Sequence, residues 1–195
     1  MGAIILSNMV VQAGNDTVLD AAVAISGGLD MREQKEFKRA QRLWQPMLCK
    51  ELRQTFLLGK WGERVRRRLS HGTLMHMLRA THITGIDESA VVEYNGFADV
   101  VDYYQQMSAL GDIPEAEFST TIASHRRIHN LAVPLLVVHA LDDPLITWRT
   151  VAGNNAARHP LNLTSTGVGN LMLLLTKAGG HVGWPVGWLP QLHTW

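Results

Sequence analysis

The chain has 195 residues, 46% hydrophobic and 18% charged, the composition of one globular domain with a substantial core. Eighteen Lys and Arg against seventeen Asp and Glu leave a formal charge of +1, so global charge gives no support to a nucleic-acid or polybasic membrane role. The single cysteine, Cys49, excludes an internal disulfide and a multi-cysteine metal site.

The opening run "MGAIILSNMVVQAG" has no basic flank and no small-residue cleavage pattern, and it is too short to span a bilayer. Ile4, Ile5, Met9, Val10 and Val11 fall near helical spacing, and Gly14-Asn15-Asp16 supply a stop, so a helix is expected. In "TVLDAAVAISGGLD", residues 18–26 are small and apolar without alternation, which predicts a strand buried on both faces and ended by Gly27-Gly28.

Residues 31 to about 80 interleave charges with Phe37, Leu43, Trp44, Leu48, Leu52, Phe56 and Leu57, a helical pattern in which Pro46 marks a boundary or first turn. Cys49 in "QPMLCKEL" reads as a buried structural thiol rather than a nucleophile. The basic "ERVRRRLS", Glu63 to Ser70, reads as a solvated helix face, with a local anionic contact as the alternative. "FADVVDYYQQMSAL" is a second amphipathic piece, and residues 111–130 are polar and loop-like.

The pattern then changes. "LAVPLLVVHALDDPLITW" is a compact apolar strand, Val133 to His139, breaking into acidic residues and a proline. "TWRTVAGNNAARHP" predicts a helix stopped before Pro160. "LMLLLTKAGGHVGWP" repeats the theme, with a strand from Leu171 to Thr176 and a glycine-rich loop carrying His181. Strands separated by helical segments predict an α/β fold with a parallel sheet.

Each of the last two strands delivers titratable residues at its carboxyl end, where α/β sheets gather ligands and catalytic groups. These are Asp142 and Asp143 on one loop, and His181 among Gly179, Gly180 and Gly183 on the other. A carboxylate accepting the imidazole Nδ1–H fixes the tautomer, and the free Nε2 takes a proton from a serine. "DDP" alone is a common turn or helix-start signal, and a lone His after two glycines is most simply structural. Their joint appearance, each after a buried strand, favours the functional reading. His139 reads as packed within its strand. His71, His76, His82, His125, His129, His159 and His193 read as surface or loop residues, and no pair has zinc spacing with a third ligand.

"VPLLVVHALDDPLI" followed by "AGGHVGWP" resembles the α/β-hydrolase superfamily. More narrowly, it resembles the branch containing yeast medium-chain ethyl-ester synthase/esterases and plant embryogenesis-associated proteins. "YNGFADVVDYYQQMS" resembles that branch's return from cap to core, and "AISGGLD" its sixth strand and exit. The resemblance implies that residues 1–195 are the carboxyl-terminal part of an α/β-hydrolase domain, truncated at both ends. It implies a helical cap insertion over residues 30–115.

The family's nucleophile stands in a G-x-S-x-G elbow. Met1 and Gly2 match its last two positions, so the resemblance puts the serine immediately before Met1 and makes the Met1 backbone N–H an oxyanion-hole donor. His181 would be the base and Asp143 its orienter. Asp143 is preferred to Asp142 because it lies three residues after Ala140, as in the family's G-x-x-D. Ser26, in the A-x-S-x-G stretch "AISGG", is the alternative nucleophile. The implied activity is serine hydrolysis of carboxylic esters or acylglycerols, with no cofactor and no metal. The implied partner is a small acyl ester or lipid and not a nucleic acid. The full-length parent is expected in the cytoplasm or at a membrane, with possible peripheral membrane contact, and residues 1–195 alone are expected to be inactive. The competing expectation is a non-catalytic fragment or pseudo-enzyme serving as an interaction module.

Overall fold

The computed structural model describes residues 1–60, 62–112, 127–152 and 169–184. Most of the polar 111–130 stretch, the continuation of the helix expected to stop before Pro160, and His125, His159 and His193 lie outside the described residues. The chain divides into two compact units, Met1–Gln34 with Tyr104–Trp195, and Lys35–Tyr103. In chain order the regular elements are α1 (Gly2–Ala13), β1 (Ala22–Ile25), α2 (Lys38–Leu43), α3 (Gln45–Leu52), α4 (Gly62–Arg66), α5 (His71–Arg79), α6 (Ile83–Ile86), α7 (Glu93–Asn95), α8 (Val100–Gln106), β2 (Leu135–Ala140), α9 (Arg149–Ala152) and β3 (Leu171–Thr176).

The first unit is built on a parallel sheet in the order β1-β2-β3. Parallel neighbours need long crossover connections, and the sequence supplies them between each pair of strands. The register runs Ala22↔Leu135 to Ile25↔Val138 on one side of β2 and Leu135↔Leu171 to Ala140↔Thr176 on the other. β2 starts two residues later than the sequence suggested. Proline has no N–H to give a ladder, so Pro134 contributes only its carbonyl, which accepts Ala22 N–H at 2.9 Å.

The helix expected at the opening is α1. It buries Ile4, Ser7, Val10 and Val11 and leaves Ile5 and Met9 exposed, and Gly14 N–H closes it on the Val10 carbonyl. The expectation of a strand buried on both faces over residues 18–26 is corrected. β1 is only four residues long and alternates, with Ala22 and Ala24 buried but Val23 and Ile25 about half exposed. The cause is that α1 packs on one face of this edge strand, and among the described residues the other face stays open. β3 shows the same alternation, with Leu171 buried and Met172 and Leu174 exposed. The covered face meets Val10, Val11, Leu29, Leu110, Ile128 and Val151 in one apolar core. Each such side chain contributes roughly 1.5–3 kcal/mol by leaving water.

The two segments bordering the second unit are laced together inside the first. Leu110 N–H donates to the Leu29 carbonyl at 2.9 Å, and Met31 N–H donates to Ser108 Oγ at 2.8 Å. The Arg32 guanidinium grips both oxygens of buried Asp30 at 2.9 Å each and reaches Asp112 at 2.8 Å. This forked, charge-assisted contact makes Arg32 still harder to deprotonate, despite the opposing effect of burial.

The second unit is helical, as the charge-interleaved pattern suggested, but its helices are short. Stretches of wider π winding, Arg53–Leu58 and Asp87–Val92, interrupt them. Pro46 stands in the first turn of α3, where its missing N–H costs nothing. Ser70 caps α5 by accepting Thr73 N–H at 3.1 Å. Cys49 is buried with Leu57, Met77 and Ile86, and burial pushes its thiol above the ordinary range, the behaviour of a structural thiol. The Glu63–Arg67 pair is exposed, as a solvated helix face requires.

Candidate active site

β2 and β3 end at the same level, Ala140 beside Thr176, and Leu141 N–H still donates to the Thr176 carbonyl at 2.8 Å. The chain after β2 turns at once, with Asp143 N–H on the Ala140 carbonyl at 3.2 Å. That turn folds the Asp143 side chain inward and leaves Asp142 exposed.

Asp143 works with both oxygens. Oδ1 accepts Leu145 N–H at 2.8 Å and Ile146 N–H at 2.9 Å. Oδ2 lies 2.8 Å from His181 Nδ1. Asp143 therefore serves both the turn that follows it and the His181 ring, and no helix starts at Pro144, since the chain bends on as far as α9 at Arg149. Burial works to raise the Asp143 carboxyl. The hydrogen bonds from His181 and from the Ile146 and Leu145 backbone outweigh it and hold the group below the usual carboxylate range. Asp142 makes a different contact, accepting Gly180 N–H at 3.1 Å.

The His181 loop has its own supports. Gly180 adopts a left-handed φ of 71°, and Gly179 lies so close to the Trp184 ring that a Cβ there would overlap the indole nitrogen. Trp184 Nε1–H donates to Thr176 Oγ1 at 2.8 Å and closes the loop onto the end of β3. Among the described residues nothing stands within 4 Å of a Cβ built at Gly183, so there two of the three glycines that frame His181 answer to a demand of the backbone.

Two supports of the Asp143 loop carried no sequence signal. The Gln34 amide donates to the Leu145 carbonyl at 2.7 Å and accepts Thr147 N–H at 3.1 Å. His139, wholly buried near the end of β2, has Nε2 3.1 Å from the Ile146 carbonyl. Gln34 is 111 residues from Leu145 in sequence, so no local motif could reveal it. His139 was legible as packed but not as a loop support.

Ser26 follows β1, is 5% exposed, and has a φ of 52°, the only positive value for a non-glycine residue among those described. Its neighbour Gly27 is pressed against α1, where a Cβ would lie 2.5 Å from that of Ala3. Met1 is exposed at the start of α1, and its carbonyl accepts Ile4 N–H at 3.0 Å. No cluster of three or more potential metal ligands occurs among the described residues, and no helix among them is long and apolar enough to cross a membrane.

The pairing of a buried carboxylate with a part-exposed imidazole, set on the ends of adjacent parallel strands, is an arrangement for holding a base. The chain is similar to several known proteins. Monoacylglycerol lipase ABHD2 of Bos taurus is 24% identical over 194 residues, covering 94% of this chain and 40% of that protein. YheT of Escherichia coli K12, a provisionally named esterase, is 25% identical over 206 residues, covering all of this chain and 50% of that protein. Phospholipase ABHD3 of Bos taurus is 23% identical over 195 residues, covering all of this chain and 41% of that protein.

These are hydrolases of lipids and esters. They support a distant α/β-hydrolase relationship for this chain. The chain spans 40% to 50% of the length of these relatives. No protein-family model matches it.

Proposed function

We propose that this chain carries the acid–base half of a serine hydrolase acting on carboxylic esters or acylglycerols. The observation that carries the reading is the 2.8 Å contact between the buried Asp143 carboxylate and His181 Nδ1 at the ends of adjacent parallel strands. Asp143 holds Nδ1–H, which leaves His181 Nε2 free to take the proton of an attacking hydroxyl and return it to the leaving alcohol. His181 keeps about a quarter of its side chain exposed, so it can reach a substrate, while Asp143 is shielded from competing water.

The nucleophile is proposed to be the serine that the elbow resemblance puts immediately before Met1 in a longer protein, with the Met1 N–H as an oxyanion donor. The helical insertion expected over residues 30–115 is proposed as the cap insertion of the hydrolase domain in the longer protein. Within the α/β-hydrolases, "AGGHVGWP" and "LDDP" favour the branch of the yeast ethyl-ester synthase/esterases and plant embryogenesis-associated proteins. Lipid-hydrolysing relatives support a lipid or ester substrate. Ser26 is the rival nucleophile. Its left-handed φ is the strained geometry of an elbow, whereas its burial weighs against it.

The test is labelling of the longer protein with a fluorophosphonate and turnover of a p-nitrophenyl acyl ester. Labelling that survives Ser26→Ala and is lost with His181→Ala supports the reading. Labelling lost with Ser26→Ala moves the nucleophile to Ser26, and no labelling at all leaves the interaction-module reading.

A further inference from the structure

Past the ends of β2 and β3 the pairing continues through side chains instead of the backbone ladder. The register closes on Ala140↔Thr176, and beyond it Asp142 meets Gly180 while Asp143 meets His181. Consecutive carboxylates on one loop thus meet consecutive residues on the other. The β3 loop is the longer of the two, because the four steps from Thr176 to Gly180 answer to the two from Ala140 to Asp142. The surplus is slack, and slack leaves open backbone conformations that a ladder would close.

The two contacts remove different freedoms. Asp143 Oδ2 holds His181 Nδ1 at 2.8 Å and so fixes the ring. That bond alone does not fix the backbone carrying the ring, since side-chain rotations at His181 can compensate for a moving loop. Asp142 Oδ1 accepts Gly180 N–H at 3.1 Å, which pins the peptide plane joining Gly179 to Gly180, immediately before His181. Gly180 takes its left-handed φ of 71° at this point, so the plane is held where the chain turns. On the other side of His181, Trp184 Nε1–H donates to Thr176 Oγ1 at 2.8 Å. The turn after β2 folds Asp143 inward and leaves Asp142 exposed, which is why two neighbouring residues can serve ring and backbone separately.

We propose that Asp142 is a positioning residue for His181, holding the loop backbone while Asp143 holds the ring. The proposal rests on the reading of Asp143 and His181 as an acid–base pair. Asp142 touches no reacting atom. Its part is to accept one hydrogen bond, and an uncharged acceptor of the same shape can do the same. Asp142 is exposed, so water replaces part of what a lost acceptor supplied, and the loss is several-fold. A base set slightly off its line transfers protons less well without weakening substrate binding, so the effect falls on kcat.

The test uses the longer protein with a p-nitrophenyl acyl ester and the variants Asp142→Ala and Asp142→Asn. Asp142→Ala is expected to lower kcat about 3- to 10-fold with KM unchanged. Asp142→Asn keeps the acceptor oxygen and recovers most of that loss. Amide exchange at Gly180, read by NMR, should quicken in Asp142→Ala and stay close to wild type in Asp142→Asn. If Asp142→Ala does not fold, Asp142→Leu, of similar shape and without an acceptor, takes its place.

Folded Asp142→Ala with wild-type kcat would overturn the proposal, as would a loss confined to KM. Asp142→Asn as impaired as Asp142→Ala also rejects it, since the charge and not the acceptor would then matter. If the wild type has no esterase activity, the functional reading fails separately, and the spectra decide this one. Asp142→Ala must then quicken exchange of both the Gly180 amide and the His181 Nδ1–H, and Asp142→Asn must restore both. Unchanged exchange rejects the proposal.

Discussion

His181 Nδ1 lies 2.8 Å from an Asp143 carboxylate that is itself shut away from solvent, so the imidazole borrows a charge water cannot reach. In Asp143→Asn the amide oxygen can keep the Leu145 and Ile146 N–H groups, while the amide NH2 faces His181 Nδ1. That forces the wrong tautomer on the ring. Ester turnover by the longer protein is expected to fall about a thousandfold or more with little change in KM, read by steady-state kinetics.

The same carboxylate links stability to acid. Its folded pKa lies below the unfolded value, so the unfolded chain binds the proton more readily. The stabilisation is therefore complete above the unfolded pKa of about 3.9 and is lost as pH falls through the folded value. Urea midpoints of wild type and Asp143→Asn should differ near neutrality and converge as the pH drops below about 4.

His139 gives a second pH dependence in a higher window. Its folded pKa is lowered by burial, so the unfolded state binds the extra proton first. Stability should fall as pH drops below the unfolded histidine value of about 6.5 and continue falling down to the folded pKa. In His139→Gln this part of the stability–pH curve should flatten, as measured by urea unfolding across the interval.

Gln34→Met keeps the length of the side chain and removes both amide contacts. The Leu145 carbonyl and Thr147 N–H then lose their partner. The expected loss is about 2–4 kcal/mol in chemical denaturation. Gln34→Glu should fail as well, since a carboxylate cannot donate to Leu145.

Gly179→Ala puts a methyl group where the Trp184 ring already stands. The expected cost is roughly 1–3 kcal/mol, with loss of the indole contact to Thr176. Trp184→Ala removes the obstacle, so the double variant should be less damaged by the added methyl than the single variant is. A double-mutant cycle in thermal unfolding reads this directly.

The strands and the acidic and histidine loops were legible because each rests on local pattern. An apolar run ending in "DDP" and another ending in "GGH" need no distant partner to be seen. Pro134 shifted the start of β2 through a missing donor, which run length alone does not register. The one-sided burial of β1 was not legible, since coverage depends on what packs against Val23 and Ile25 rather than on their type. The π-wound stretches at Arg53–Leu58 and Asp87–Val92 keep a helical composition and so look like plain helix. Gln34 was illegible as a support because its significance lies wholly in long-range contacts.

The clasp of Leu29, Met31 and Arg32 on Leu110, Ser108 and Asp112 gives the intervening chain a particular freedom. Its departure and return are joined within the sheet-bearing unit, so the closure does not rely on anything between them. Residues 35–103 can then vary in length and sequence as an exchangeable cassette, and a short linker or a foreign helical segment could be grafted there while the strands of the first unit keep their register.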